Sequence, residues 1–181
     1  MRHSASRRPG KTVHDRRSST ERSRGTVLVA GALALLLTGC GASTPTQASA
    51  KQGISRVYDS LFNFTNKNLS VKLADIQNGS SLKTAISQAL SSSLAHEATG
   101  ARVDTVKLLS TSTCSQEMLS SPCAEVTYDL LGTTGQPLFT TPSSGYAVYV
   151  SGNWLVAKAT ICSLLELFYS ASGRSGSPPG C

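Results

Sequence analysis

The chain has 181 residues and a formal net charge of +7. Nearly all of that charge sits in the first 39 residues, where eight Lys/Arg stand against two Asp/Glu; the remainder carries nine against eight, or +1. The basic balance therefore belongs to the leader, and no nucleic-acid footprint survives in the rest of the chain.

The leader has three parts. Residues 1–24 carry Arg2, Arg7, Arg8, Lys11, Arg16, Arg17, Arg22 and Arg24, and Thr26 to Leu37 is apolar. That apolar run is shorter than the roughly 20 residues a spanning helix needs. It closes on Leu37-Thr38-Gly39-Cys40, which matches the lipobox of bacterial lipoproteins: a branched apolar residue, two small residues, then the cysteine that is acylated and becomes residue one. Residues 1–39 are read as a signal peptide, with lipidation (palmitate or a similar acyl chain) at Cys40. Two or three acyl chains, at about 0.8 kcal/mol per buried CH2, hold such a protein on the outer face of the cell membrane. Neither Arg7-Arg8 nor Arg16-Arg17 is followed promptly by an apolar residue, so Sec export is expected over twin-arginine export. Residues 40–52 are small and polar without an apolar period, which reads as a flexible tether.

Residues 53–181 are expected to form one domain. Ile54, Val57, Tyr58, Leu61, Phe62 and Phe64 recur at three-to-four spacing and predict a first helix. A short second helix is predicted from Asn68 through Val71, Leu73 and Ile76 to Asn78-Gly79. Ser80 or Ser81 caps a third, with Leu82, Ile86, Ala89, Leu90 and Leu94 on one stripe, stopping by Gly100. His96 falls at the end of that helix beside Glu97.

The second half alternates with a period of two. Val103, Val106 and Leu108 mark a first strand. In the next, Glu125, Thr127 and Asp129 are expected to face water while Val126, Tyr128 and Leu130 face the core. Gly132 to Gly135 turns the chain into Pro137-Leu138-Phe139. Tyr146–Val150 and Trp154–Ile161 flank a hairpin turn at Ser151-Gly152-Asn153, with Gly and Asn supplying the unusual dihedrals. Leu164, Leu165, Leu167 and Phe168 read as a closing helical turn before a Gly/Ser/Pro tail. Helices first and an antiparallel meander afterwards predict an α+β fold, with helices packed on one face of a curved sheet of about four strands.

The stretches VTYDLLGTTGQPLF (126–139), GYAVYVSGNWLVAKATICSLLEL (145–167) and PPGC (178–181) resemble the actinobacterial low-molecular-weight antigen family. The likeness covers about residues 53–181. It implies an exported or lipid-anchored protein, a surface antigen, whose domain is similar to the nuclear-transport-factor-2-like cone. The Cys114–Cys123 excursion departs from the general family pattern. Cones of that type hold an apolar pocket between sheet and helices. Here Phe62, Leu90, Tyr128 and Tyr146 (or Tyr149) are the candidate lining, with Trp154 at the rim.

Four cysteines besides Cys40 make an even count in an oxidising compartment, and three pairings are open. Loop placement favours Cys114–Cys123, stapling a polar loop between two strands, and Cys162–Cys181, tying the tail to the last strand. There is no C-x-x-C, and His96 is the sole histidine after Cys40, so neither a metal site nor another cofactor is expected. Two readings of function follow. One is a non-catalytic lipoprotein whose pocket or sheet face binds an apolar small molecule, a lipid or an envelope protein. The other is a small pocket enzyme, an isomerase or hydrolase, using Tyr128 with a carboxylate or His96; it needs an acid and a base within the concavity, and none is visible on the inward positions.

Overall fold

The computed structural model describes residues 44–92 and 94–181. The expected signal peptide 1–39, the expected acylation at Cys40 and residues 41–43 lie outside the described residues.

Helix α1 (Gln47–Phe62) starts where Thr46 Oγ1 accepts from Ser49 N–H at 3.2 Å. Its buried residues, Ala50, Ile54, Val57, Tyr58, Leu61 and Phe62, follow the four-three-one spacing of a single helical face. The first two turns fall within the 40–52 span read as a tether. They are helical because tertiary contacts hold them: Ala50 is completely buried, and the Gln47 side-chain amide donates to the Val106 carbonyl. Small polar residues carry no apolar stripe by which to see this. Phe64 lies beyond the helix, which ends at Phe62.

Helix α2 (Leu69–Ala74) is capped by Asn68. The stripe read as one third helix is three pieces: a 3-10 turn (Gly79–Leu82), α3 (Lys83–Leu90) and the single turn α4 (Leu94–Glu97). The chain turns to strand already at Ala98, so Gly100 is the third residue of β1 (Ala98–Leu108) rather than a helix stop. Strands β2 (Cys123–Gly132), β3 (Ser143–Val150) and β4 (Asn153–Val156) complete an antiparallel sheet of order β1-β2-β3-β4. Register shifts between Ala98 and Gly100 and between Val103 and Thr105 curl the sheet, as bulges do by adding local twist. The result is the expected α+β cone-like architecture.

The β3–β4 turn has two residues, Ser151 at φ 50° and Gly152 at φ 87°. Asn153 instead pairs with Val150 as the first strand residue. The stretch read as a strand through Ile161 ends at Val156, and Lys158–Ala171 forms α6, fourteen residues long. Thr160 at its start accepts from Tyr146 N–H at 2.7 Å, fastening α6 to β3.

Both expected disulfides are present: Cys114–Cys123 with Cα atoms 5.9 Å apart and Cys162–Cys181 at 5.6 Å. Their settings differ from expectation. Cys114 sits in a short helix, α5 (Thr111–Gln116), and Cys162 on α6, so the second bridge ties the tail to a helix rather than a strand. Closing loops of this size constrains the unfolded chain by about 3 kcal/mol each.

Candidate functional site

Two concavities adjoin α1, and they differ in chemistry. The larger, about 790 Å³, is a cleft of mixed polar and apolar lining between α1 and the β3–β4 hairpin, bordered by Gln52, Arg56, Ser60, Asp75, Asn153, Tyr149 and Trp154, with Val57, Ala74 and Leu155. Gly53 allows α1 to close on this side, because a Cβ there would come within 2.7 Å of the Trp154 ring. Trp154 is buried and tilted against Tyr149 at 5.3 Å between ring centroids. It borders this cleft and is not among the residues that line the apolar cavity, where it was expected at the rim.

The second concavity, about 480 Å³, is walled by apolar side chains from four elements. Helix α1 gives Leu61 and Phe62, α3 gives Ile86, Ala89 and Leu90, β2 gives Leu130, and α6 gives Ile161, Leu164, Leu165, Leu167 and Phe168. Phe64 and Phe139 add aromatic wall; Lys72, Ser92 and Ser143 bring the polar atoms. Phe139 and Leu167 are 50% and 68% exposed, which places the mouth between them. The α3 and α6 walls are clamped together where Tyr169 Oη donates to Gln88 Oε1 at 2.5 Å. Size and composition are those of a small-molecule pocket, typically about 300–1,000 Å³ and mostly apolar. The cleft's lining is divided between polar and apolar groups, whereas the cavity's is almost wholly apolar, and an apolar cavity of this size favours an apolar ligand.

Of the expected lining, Phe62 and Leu90 are in the cavity wall. Tyr128 stands directly behind, its ring stacked on Phe62 at 5.4 Å and edge-on to Tyr58 at 4.8 Å. Tyr146 does not join them. It pairs with Glu125 and packs on the other side of the sheet, beside Cys114, Cys123 and Val148. Strand parity explains this: Tyr146 and Tyr149 are three apart, so only one faces inward, and it is Tyr149. The alternation of β2 is also modified. Asp129 shares the outer face with Glu125, yet it is buried, held at 2.6 Å by Arg102 Nη2.

Lys72 is the unexpected member. It is fully buried, and its Nζ donates to the carbonyls of Ser60 and, at 2.7 Å, Asn63, at the end of α1. A cation there satisfies carbonyls that a helix end leaves open and complements the helix dipole. Phe64 lies over it at 5.6 Å. Burial pushes its pKa below the usual lysine value, against the partial support of Asp75 and Asp59. No carboxylate among the described residues comes within salt-bridge distance of it. A lysine inside a six-residue segment such as LSVKLA gives no sequence sign of this role. The α6 contribution was legible in part, since Leu164, Leu165, Leu167 and Phe168 were visible as a cluster but not as a full helix.

Titration marks the same region. Burial pushes the Tyr128 phenol up to about 12. Its hydroxyl has no partner in hydrogen-bond geometry, although the Ser143 side chain lies near enough to favour ionisation slightly. Tyr58 is raised further by burial, then by Tyr128, and its hydroxyl donates to the Tyr146 carbonyl at 3.1 Å. His96 and Glu97 are exposed on α4. Neither a histidine nor a carboxylate borders the apolar cavity among the described residues.

Comparison with family models, with curated proteins and with solved structures finds no match to this chain.

Proposed function

We propose that this is an exported, lipid-anchored lipoprotein on the outer face of the cell membrane, related to the actinobacterial low-molecular-weight antigens, whose domain binds a lipid or other apolar small molecule without catalysis. The observation that carries the binding reading is the apolar cavity of about 480 Å³ between sheet, α1, α3 and α6. Each CH2 transferred into such walls contributes about 0.8 kcal/mol, so a chain of modest length binds usefully. Acid–base chemistry needs a titratable group within about 3 Å of its partner or one water away; the nearest cation here is committed to backbone carbonyls. The anchoring reading rests on Leu37-Thr38-Gly39-Cys40. The chain enters α1 at Thr46, and sixteen residues of helix span about 24 Å. The cavity at the far end of α1 would thus stand off from the anchored end.

Native mass spectrometry of the protein recovered from its host tests the binding reading. An added mass that organic extraction removes is expected; repeated recovery of bare protein, with no uptake of added lipid, contradicts it. For the anchor, Cys40→Ala should leave the protein unprocessed or release it from the membrane fraction. An unlipidated N-terminus elsewhere in the native protein would refute it.

A further inference from the structure

We infer that the cavity takes a medium-chain fatty acid, its carboxylate accepting a hydrogen bond from the Ser143 hydroxyl, with Tyr128 positioning Ser143 from behind. This rests on the ligand-binding reading of the same cavity and names the head group it selects.

Three observations converge. Ser143 borders the cavity and is only half-buried. Across the β2–β3 ladder it pairs with Tyr128. Tyr128 exposes no surface and its hydroxyl has no partner in hydrogen-bond geometry. An unpartnered buried hydroxyl is costly, and a serine oxygen can both donate and accept. If the Ser143 proton turns toward the cavity, its lone pairs turn toward Tyr128, and the phenol gains the acceptor it lacks. An acceptor on the ligand is what holds the proton in that direction.

A further observation sets the charge of that acceptor. Lys72 stands in the cavity wall with its ammonium on two carbonyls and, among the described residues, no carboxylate within salt-bridge distance. It exposes no surface, so it acts on the ligand through its field rather than by contact. Asp75 and Asp59 balance this cation only in part, from beyond salt-bridge distance, so one further negative charge nearby is favoured. A phosphodiester head would bury more charged oxygens than this wall has donors to satisfy, whereas a carboxylate needs few. The chain then runs along apolar wall toward Phe139 and Leu167.

Calorimetric titration of the full-length chain with dodecanoate and, separately, dodecanol tests the assignment. The acid is expected to bind about tenfold more tightly, the difference between a charge-assisted and a neutral hydrogen bond. Ser143→Ala should weaken the acid about tenfold more than it weakens the alcohol, and Ser143→Thr should restore the preference. Tyr128→Phe should reduce the preference by about threefold while the melting temperature does not fall, because the phenol has no partner to lose. A structural defect would weaken both ligands alike, and that result would overturn the assignment. Equal binding of acid and alcohol to the unaltered chain would overturn the head-group inference but leave the cavity a binding site. Failure of either to bind would remove the binding reading itself.

Discussion

The two concavities beside α1 share a wall, and the contrast across it organises the molecule. Lys72 faces the apolar cavity and Asp75 the mixed cleft, three residues apart, and Ser60 joins them. Its carbonyl accepts from Lys72 Nζ and its hydroxyl donates to Asp75 Oδ2 at 2.6 Å. Burial is the first cause of both pKa shifts, lowering that of Lys72 and raising that of Asp75. On the cavity side the charge is enclosed and serves the end of a helix. On the cleft side polar and apolar groups share a larger, open surface. Volume alone would have favoured the cleft, but the chemistry of the walls favours the cavity.

The strongest way to break this contrast is Lys72→Met. Length is kept and the ammonium lost, leaving the Ser60 and Asn63 carbonyls without their donor. A cost of about 3 kcal/mol in urea unfolding is expected from two underserved buried acceptors. Arg56→Ala on the cleft side, where the side chain is exposed, should cost under about 0.5 kcal/mol. Equal effects would mean that the divider has no structural role.

The second effect is alkaline. Tyr128 is held near 12 against an ordinary value of 10.0, so its neutral form is favoured by folding. That contribution is fully present below pH 10 and lost as pH rises through 12. About 2–3 kcal/mol should disappear over this window. Tyr58 is raised in the same direction. Stability measured against pH in Tyr128→Phe should show a shallower alkaline loss; an unchanged profile would place the titration elsewhere.

Much of this arrangement was legible in the sequence, and the exceptions have physical causes. The period-two pattern of β2 placed Val126, Tyr128 and Leu130 on the inner face, and cysteine parity with loop placement gave both disulfides. Phe62 and Leu90 were legible as cavity wall because each lies on an apolar helical stripe. The first turns of α1 were hidden, since residues 47–53 gain their order from Val106 and Trp154, far away in sequence. Tyr146 and Tyr149 were both candidates, and strand parity, which aromatic character alone does not reveal, puts Tyr149 inside and Tyr146 outside. Asp129 looked solvated because nothing local announces the Arg102 that covers it. Lys72 was invisible: a buried cation is defined by the carbonyls it meets, and these lie 9 and 12 residues away.

The smallest expected effect is at Asp75. Its raised pKa means that the fold favours the neutral acid. This contribution is fully present below the unfolded value of 3.8 and lost as pH rises through the higher folded value. At pH 7 Asp75→Asn should therefore raise stability by under about 1 kcal/mol, since the amide oxygen still accepts from Ser60, with the gain fading below about pH 4. Destabilisation at pH 7 would mean that attraction to Lys72 outweighs burial.

The central claim, that the apolar cavity and not the larger cleft is the ligand site, is tested most directly by blocking each in turn. Ala89→Trp fills the cavity from α3, and Gln52→Trp obstructs the cleft from the exposed face of α1. With dodecanoate titrated into each folded variant, Ala89→Trp should lose at least about tenfold in affinity, or about 1.4 kcal/mol, and Gln52→Trp should match the unaltered chain. Undiminished binding to Ala89→Trp, with loss in Gln52→Trp, would contradict the account.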